Sequence, residues 1–232
     1  DTNGGGVSNC ILRGGAALLW SSYGAAAYMN AGTITHCVIS NNAIQYADFG
    51  KPMGMAVAIN GGTLANSLMA YNKPYSVGTT PASGGGAVYA TGGLVMNCTI
   101  VSNSYDDCAG VYATGGEVVN CIIAANTSTL AGGAKAVWSG TESCFNTCGS
   151  PETLINEDCF MGSVSFVDIG SGNFRLDHRA GNAGYIDGGV TTGYPIPSVD
   201  LDGRPRLVHR GRIDLGCYEA DWVQQATVLM IR

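Results

Sequence analysis

Short apolar runs alternate with glycine and asparagine along most of the chain, and the pattern recurs. Gly5-Gly6-Val7-Ser8-Asn9-Cys10-Ile11-Leu12 aligns with Gly32-Thr33-Ile34-Thr35-His36-Cys37-Val38-Ile39 and with Gly62-Thr63-Leu64-Ala65-Asn66-Ser67-Leu68-Met69. Two more copies begin at Gly93 and Gly116, and a degenerate sixth lies at Ser143-Cys144-Phe145-Asn146. The position held by Cys10, Cys37, Ser67, Cys98, Cys121 and Cys144 returns after 27, 30, 31, 23 and 23 residues. A second apolar element accompanies the repeat: Ala26-Ala27-Tyr28, Ala56-Val57-Ala58, Ala87-Val88-Tyr89, Gly110-Val111-Tyr112 and Ala136-Val137-Trp138. Runs this short, alternating in and out between Gly-rich corners, are strands; a helix wants apolar positions at a 3.6-residue period over ten or more residues.

Repeats of this length, each unable to bury its own apolar face, stack on one another as a parallel coil. The expectation is an all-β fold, a parallel β-solenoid of about six rungs, roughly 25 to 30 Å tall at about 4.8 Å per rung. Ile34, Leu64, Val95 and Val118 face its interior, as do the Cys positions and then Leu12, Ile39, Met69, Ile100 and Ile123. Residues 1–159 carry the rungs, 160–219 form a C-terminal cap, and 220–232 are an apolar tail or a linker to a further segment. Outward positions grow apolar along the coil, with Met96, Val101, Val119 and Ile122 where earlier copies have Ser8, Arg13, Thr35 and Ser40. The capping segment is therefore expected to fold back along that flank.

Two Asn columns accompany the strands. Asn9, Asn66, Asn97 and Asn120, with His36 and Ser143 as variants, precede the Cys position, and Asn42, Asn72, Asn103 and Asn126 follow it by five residues. Asn adopts left-handed backbone conformations at corners, and stacked amides bond to one another along a coil. Both columns, with His36 as a ladder substitute and Asn97 of the Asn97-Cys98-Thr99 sequon as a member, are read as such ladders. Of nine cysteines, five fall in one interior column where parallel Cβ vectors suit stacked thiols better than bridges. Cys148 with Cys159 or Cys144 is the best disulfide candidate. No CxxC or Cys/His spacing suggests zinc.

Composition narrows the classes further. The 232 residues include 35 Gly with 12% charged and 46% hydrophobic residues, which excludes a coiled coil and a disordered tail. A net charge of −6 argues against nucleic acid as a partner. No apolar run reaches the roughly 20 residues of a transmembrane segment. The chain opens on Asp1-Thr2-Asn3-Gly4 with neither initiator Met nor signal peptide, so a processed or excised piece is expected.

On these GGxVxNCxIxxN-type repeats the chain resembles the right-handed parallel β-helix repeat proteins of bacterial surfaces, in the broad pectate-lyase-like superfamily. A second resemblance covers Asn173-Phe174-Arg175-Leu176-Asp177, Ala183-Gly184-Tyr185-Ile186-Asp187-Gly188-Gly189, Asp200-Leu201-Asp202-Gly203-Arg204-Pro205-Arg206 and Ile213-Asp214-Leu215-Gly216-Cys217-Tyr218-Glu219. In order and spacing these are similar to the C-terminal module of choice-of-anchor surface proteins, with Asn182-Ala183-Gly184 where that module usually has Ser-Pro-Ala. The resemblance implies a right-handed coil, export, and a secreted or cell-surface location.

Polysaccharide lyases and glycoside hydrolases on this fold use carboxylates on one outer face, with calcium and Arg or with paired acids. Asp106-Asp107-Cys108 is similar to the Asp-Asp-Cys of polygalacturonases, but that family's other motifs are missing, so Asp106 and Asp107 are either catalytic candidates or solvated loop acids. Asp200, Asp202, Asp214 and Glu219 are candidates for calcium; the competing use is ion pairing with Arg204, Arg206, Arg210 and Arg212. No nucleophile accompanies His178 or His209 in a triad pattern. The recurrence of Tyr28, Tyr89, Tyr112 and Trp138, interrupted by Ala58, with Trp20, Tyr23 and Tyr105 nearby, offers a column of rings for stacking on sugars. The plainer alternative is that they only cover the sheet. The expected function is a surface scaffold or adhesive contacting a polysaccharide or cell-surface glycan without catalysis. Alternatives are a lyase or hydrolase, or a subunit assembling with itself through an open N-terminal end or the apolar tail.

Overall fold

In the computed structural model of the chain, the residues described are 4–17, 23–45, 53–76, 85–105, 108–128, 137–138, 144–145, 148–149, 164–179, 181–182, 184–206 and 211–220. Every regular element among them is a β-strand, and apart from the Phe166–Asp168 and Asn173–Leu176 hairpin the paired strands run parallel in curled sheets.

Each sequence repeat contributes strands to the same ladders as the repeat before it. Gly6–Ser8, Thr33–Thr35, Thr63–Ala65, Val88–Met96 and Val111–Val119 align Val7, Ile34, Leu64, Val95 and Val118 in one row. After the corner, Ile11–Arg13, Val38–Ser40, Leu68–Ala70, Thr99–Val101 and Ile122–Ala124 align Leu12, Ile39, Met69, Ile100 and Ile123. A third set links Ala16–Ala17, Ala43–Gln45 and Lys73–Ser76, and separately Ser104–Tyr105 with Thr127–Ser128. The second apolar element runs through Ala27–Met29 and Val57–Ile59 into the two long strands. Because side chains alternate faces, in-register pairing sends like residues to one side. All the residues expected inward in these two rows beyond the first copy are buried, while Val7 and Leu12 pack half-buried against them.

The two Asn columns separate. Asn9, His36, Asn66, Asn97 and Asn120 all sit at φ between 49° and 52°, the left-handed corner that Asn tolerates better than other side chains. Asn42, Asn72, Asn103 and Asn126 form the ladder: Nδ2 of each of the first three donates to Oδ1 of the next at 3.0, 2.9 and 3.0 Å. The same oxygens accept the backbone N–H groups of Asn42, Asn72 and Asn103 at 3.0 Å each, and that of Gly15 donates to Asn42 at 2.9 Å. The other amide proton goes to the carbonyls of Leu12, Ile39, Met69 and Ile100. The expectation that His36 and Asn97 belong to a ladder is corrected: corner geometry turns that column outward. The His36 ring contacts Thr35 Oγ1 at 2.9 Å and the Val199 carbonyl at 3.2 Å. Asn97 is buried with neither side-chain polar atom hydrogen-bonded.

The outward apolar positions meet the C-terminal segment. Met96 and Val119 pack on Tyr194 and Ile196, Val101 on Phe174, Cys217 and Tyr218, and Ile122 on Leu176, Tyr185 and Leu215. The approach is close enough that a Cβ at Gly216, where φ is 84°, would lie 2.6 Å from Thr99 Oγ1. Its N–H donates to the Asn120 carbonyl at 2.7 Å.

Asn72→Leu keeps the branched heavy-atom shape but strands the Asn42 donors and the Ile39 carbonyl, each a buried group costing about 1–3 kcal/mol when unpaired. Urea unfolding is expected to show a loss of at least about 3 kcal/mol, against less than about 0.5 kcal/mol for the exposed Asn30→Ala.

Candidate functional site

The second apolar element builds the most distinctive surface. In it Val57, Val88 and Val111 turn inward and are fully buried, so their successors turn out. Register places Tyr28, Ala58, Tyr89 and Tyr112 in one row. Tyr23, brought alongside by its bridge to Met53, spans the gap that Ala58 leaves. Its ring centroid lies 5.8 Å from that of Tyr28 and 6.1 Å from that of Tyr89, and Tyr89 stacks on Tyr112 at 5.8 Å with an interplanar angle of 29°. These are ordinary offset aromatic contacts, and they hold the rings in fixed orientations.

Beneath Tyr23 the small Ala58 side chain leaves a hollow of about 180 Å³ between Tyr28 and Tyr89. Its polar margin is a row in which Asn60 Nδ2 donates to Asn30 Oδ1 at 3.3 Å and Thr91 Oγ1 donates to Asn60 Oδ1 at 2.8 Å. No charged side chain lines it. Aromatic faces beside amide and hydroxyl groups match a ligand with C–H faces and hydroxyls. Asn60 and Thr91 were not singled out by sequence, and Ala58 appeared there only as the break in the Tyr row, which was the signal for the hollow.

The other expected members fare differently. Trp138 pairs with Ala113, and Val137 with Tyr112, a one-residue shift that takes Trp138 out of register with the tyrosines; its side chain lies outside the described residues. Tyr105 is not near the row but fully buried in the core, against Gly85, where a Cβ would lie 2.2 Å from its ring. Trp20, Asp106, Asp107, Cys159 and residues 221–232 of the apolar tail lie outside the described residues, as do the side chains of Cys144 and Cys148.

The four acids considered for calcium are committed to local contacts. Asp200 accepts the backbone N–H groups of Asp202, Arg204 and Glu219 at 2.9, 2.8 and 2.8 Å. Asp202 takes Arg175 through two bonds of 2.7 and 2.5 Å. Asp214 accepts the N–H groups of Asp187 and Ala220 at 2.7 and 2.6 Å. Glu219 pairs at 2.7 Å with Arg206, a fully buried guanidinium that also binds Asn66 Oδ1 and the Gly216 carbonyl. Among the described residues no group of three or more His, Cys, Asp or Glu is placed to hold a metal ion, and no helix is long and apolar enough to cross a membrane.

A scan against protein-family models, a search of curated proteins and a search of solved structures each find no match to this chain.

Burial, and after it the neighbouring Asp214 charge, push the Glu219 carboxyl up to about 8, with Arg206 pulling the other way. A carboxyl raised in this way binds a proton that the unfolded chain releases. Its contribution is complete below the ordinary value near 4.5 and is lost as pH rises through about 8. The melting temperature is expected to fall between about pH 5 and about pH 9, and Glu219→Gln to flatten that slope; a wild-type profile that rises over this range contradicts the assignment.

The buried thiols among the described residues are held by the fold. Cys37, Cys98 and Cys121 point their Sγ at the carbonyls of Thr35, Met96 and Val119, each 3.2 Å away, and the Cys98 N–H lies 3.4 Å from Cys121 Sγ. Burial pushes Cys98 well up and Cys217 to about 12. Alkylation near pH 8 followed by peptide mapping is expected to modify the exposed Cys10 and to spare Cys98 and Cys217 until urea is added.

Proposed function

We propose that the chain forms part of an exported, right-handed parallel β-helix of the pectate-lyase-like kind, closed by its C-terminal segment, that serves as a surface scaffold contacting glycans. Parallel ladders that join successive repeats in register support the coil. The module resemblance at 173–219 supports export, and the many internal contacts of its Asp and Arg residues are those of a folded unit docked on the ladders.

The observation that carries the glycan reading is the ring row of Tyr23, Tyr28, Tyr89 and Tyr112 with its uncharged hollow and the Asn30, Asn60 and Thr91 margin. Sugars present one apolar C–H face and a rim of hydroxyls, so rings beside amides address both at once. The rings are already ordered by contact with one another, which lowers the entropy lost on binding. The lyase or hydrolase alternative rests on Asp106 and Asp107 and draws no support from the described residues.

A glycan array followed by calorimetry on the hits tests the reading. Tyr89→Ala, which removes the ring shared by the hollow and the stack, is expected to weaken binding at least about tenfold with the melting temperature nearly unchanged. An array without a hit, or a hit bound equally by Tyr89→Ala and Tyr23→Ala, overturns it.

A further inference from the structure

The tyrosine row has a polar companion. Residues two apart along extended backbone share a face, so Tyr28, Ala58 and Tyr89 lie beside Asn30, Asn60 and Thr91 on the outside of the sheet. All three polar side chains are exposed, and two hydrogen bonds join them across the rungs. Next to them stand Gly61, Gly92 and Gly115, where any side chain would run into the carbonyl oxygens of Asn30, Asn60 and Thr91. Glycine at each step lets the rungs close up and fixes the spacing of the polar row. One rung further, Tyr112 stays in register with Tyr89, while the ladder shifts so that Thr91 pairs with Gly115 and the exposed Thr114 stands at the shift.

Size decides how a ligand must lie. The hollow of about 180 Å³ is smaller than the roughly 300–1,000 Å³ of sites that enclose a whole small molecule. It receives one unit of a ligand, and the remainder has to rest on open surface. The surface that matches it continues along the stacking axis from Tyr28 to Tyr112, three rung steps of about 4.8 Å each, or roughly 14 Å. An offset stack such as that of Tyr89 on Tyr112 leaves part of each ring face uncovered. Beside the rings, the Asn30 amide nitrogen and the second Nδ2 proton of Asn60 are left for a ligand by the bonds among the described residues. No charged side chain lines the hollow, and the chain as a whole carries −6. An anionic group on the ligand would meet no cation in that lining and would be repelled by the overall charge.

We propose that the ligand of this strip is a linear, uncharged, β-1,4-linked glycan lying lengthwise along the stacked rungs, with one sugar over the hollow and the following ones over Tyr89 and Tyr112. The inference rests on the glycan reading and adds to it the linkage, charge and direction of the chain. Equatorial linkages at both ends of each sugar keep such a chain straight, so its C–H faces fall in line as the tyrosines do. Its hydroxyl edge then runs beside the Asn and Thr row. An axially linked chain curls away from a straight row of rings. Both rows are set before the ligand arrives, the rings by their mutual contacts and the polar side chains by theirs, which lowers the ordering cost of each added sugar.

Calorimetry on the full chain tests the proposal. The titrants are the β-1,4-linked disaccharides and tetrasaccharides of glucose, xylose, mannose and N-acetylglucosamine, with maltotetraose and β-1,4-linked tetraglucuronate as the linkage and charge controls. At least one neutral β-1,4 tetrasaccharide is expected to bind at least about tenfold more tightly than its disaccharide, and more tightly than either control. Tyr112→Ala, at the far end of the strip, is expected to weaken that tetrasaccharide about tenfold and to leave the disaccharide unchanged. Thr114 is exposed, so Thr114→Val repeats the test without touching the ring stack, with an expected loss of about threefold for the tetrasaccharide alone. Equal affinity for disaccharide and tetrasaccharide, or a loss in Tyr112→Ala shared by both, overturns the lengthwise seat. Tighter binding of maltotetraose overturns the linkage, and tighter binding of tetraglucuronate overturns the charge. Array hits that include none of the neutral β-1,4 chains overturn the proposal and leave the glycan reading standing, whereas a blank array with no titration signal is the failure of that reading itself.

Discussion

One hydrogen-bonded contact sets the terms for this fold: a side-chain amide oxygen that accepts both the backbone N–H and the side-chain N–H of the preceding repeat. It occurs from Asn42 to Asn72, from Asn72 to Asn103 and from Asn103 to Asn126. Each amide is buried, so an offset of even one residue would strand several polar groups in an apolar interior. The contact therefore fixes register where hydrophobic alternation alone would tolerate a slip of two. Repeats differ in length by up to eight residues, yet the ladders stay aligned. The difference is taken up between the third strand of one repeat and the start of the next, in the segments 46–52 and 77–84, which lie outside the described residues.

Fixed register has consequences on both faces. Inside, it stacks Ile34, Leu64, Val95 and Val118 and brings buried thiols into line with backbone carbonyls as weak donors. Outside, the left-handed corner aims the other Asn column away from the core and gives the C-terminal segment polar anchors. Asn66 meets Arg206 and the Val199 carbonyl, while Asn120 exchanges two bonds of 2.8 Å with the backbone of Val190. Apolar outward positions between those anchors supply the adhesion. The burial of Arg206 is sustained by several acceptors at once, which is the condition under which a charge is tolerated inside a protein.

Much of this was legible in the sequence, for a physical reason. Strand alternation, Gly corners and the return of Asn five residues after Cys are local patterns that in-register pairing converts directly into contacts. The drift from Ser8 and Thr35 to Met96 and Val119 announced a covered flank in the same way. What was not legible depends on direction at a corner. Asn97 and Asn103 look alike in sequence, but only one follows the corner with its side chain turned inward, and φ at the preceding residue decides which. Arg206 as the central clasp was hidden because its acceptor, Asn66, lies 140 residues away. The position of Tyr23 was also hidden: it fills the Ala58 gap from outside the repeat. Trp138 marks the limit of alignment by repeat, since its strand slips one residue against Val111–Val119.

The candidate site inherits its geometry from that register. The tyrosines form a row because their strands cannot shift, and the hollow exists because one member of the row is alanine. The direct test of the whole account is therefore the amide ladder itself. Scalar couplings across hydrogen bonds, measured by nuclear magnetic resonance on labelled protein, should connect the backbone nitrogens of Gly15, Asn42, Asn72 and Asn103 to the side-chain carbonyl carbons of Asn42, Asn72, Asn103 and Asn126, in that order. Couplings to any other carbonyl, or none in a folded sample, would contradict the stacked register on which everything else stands.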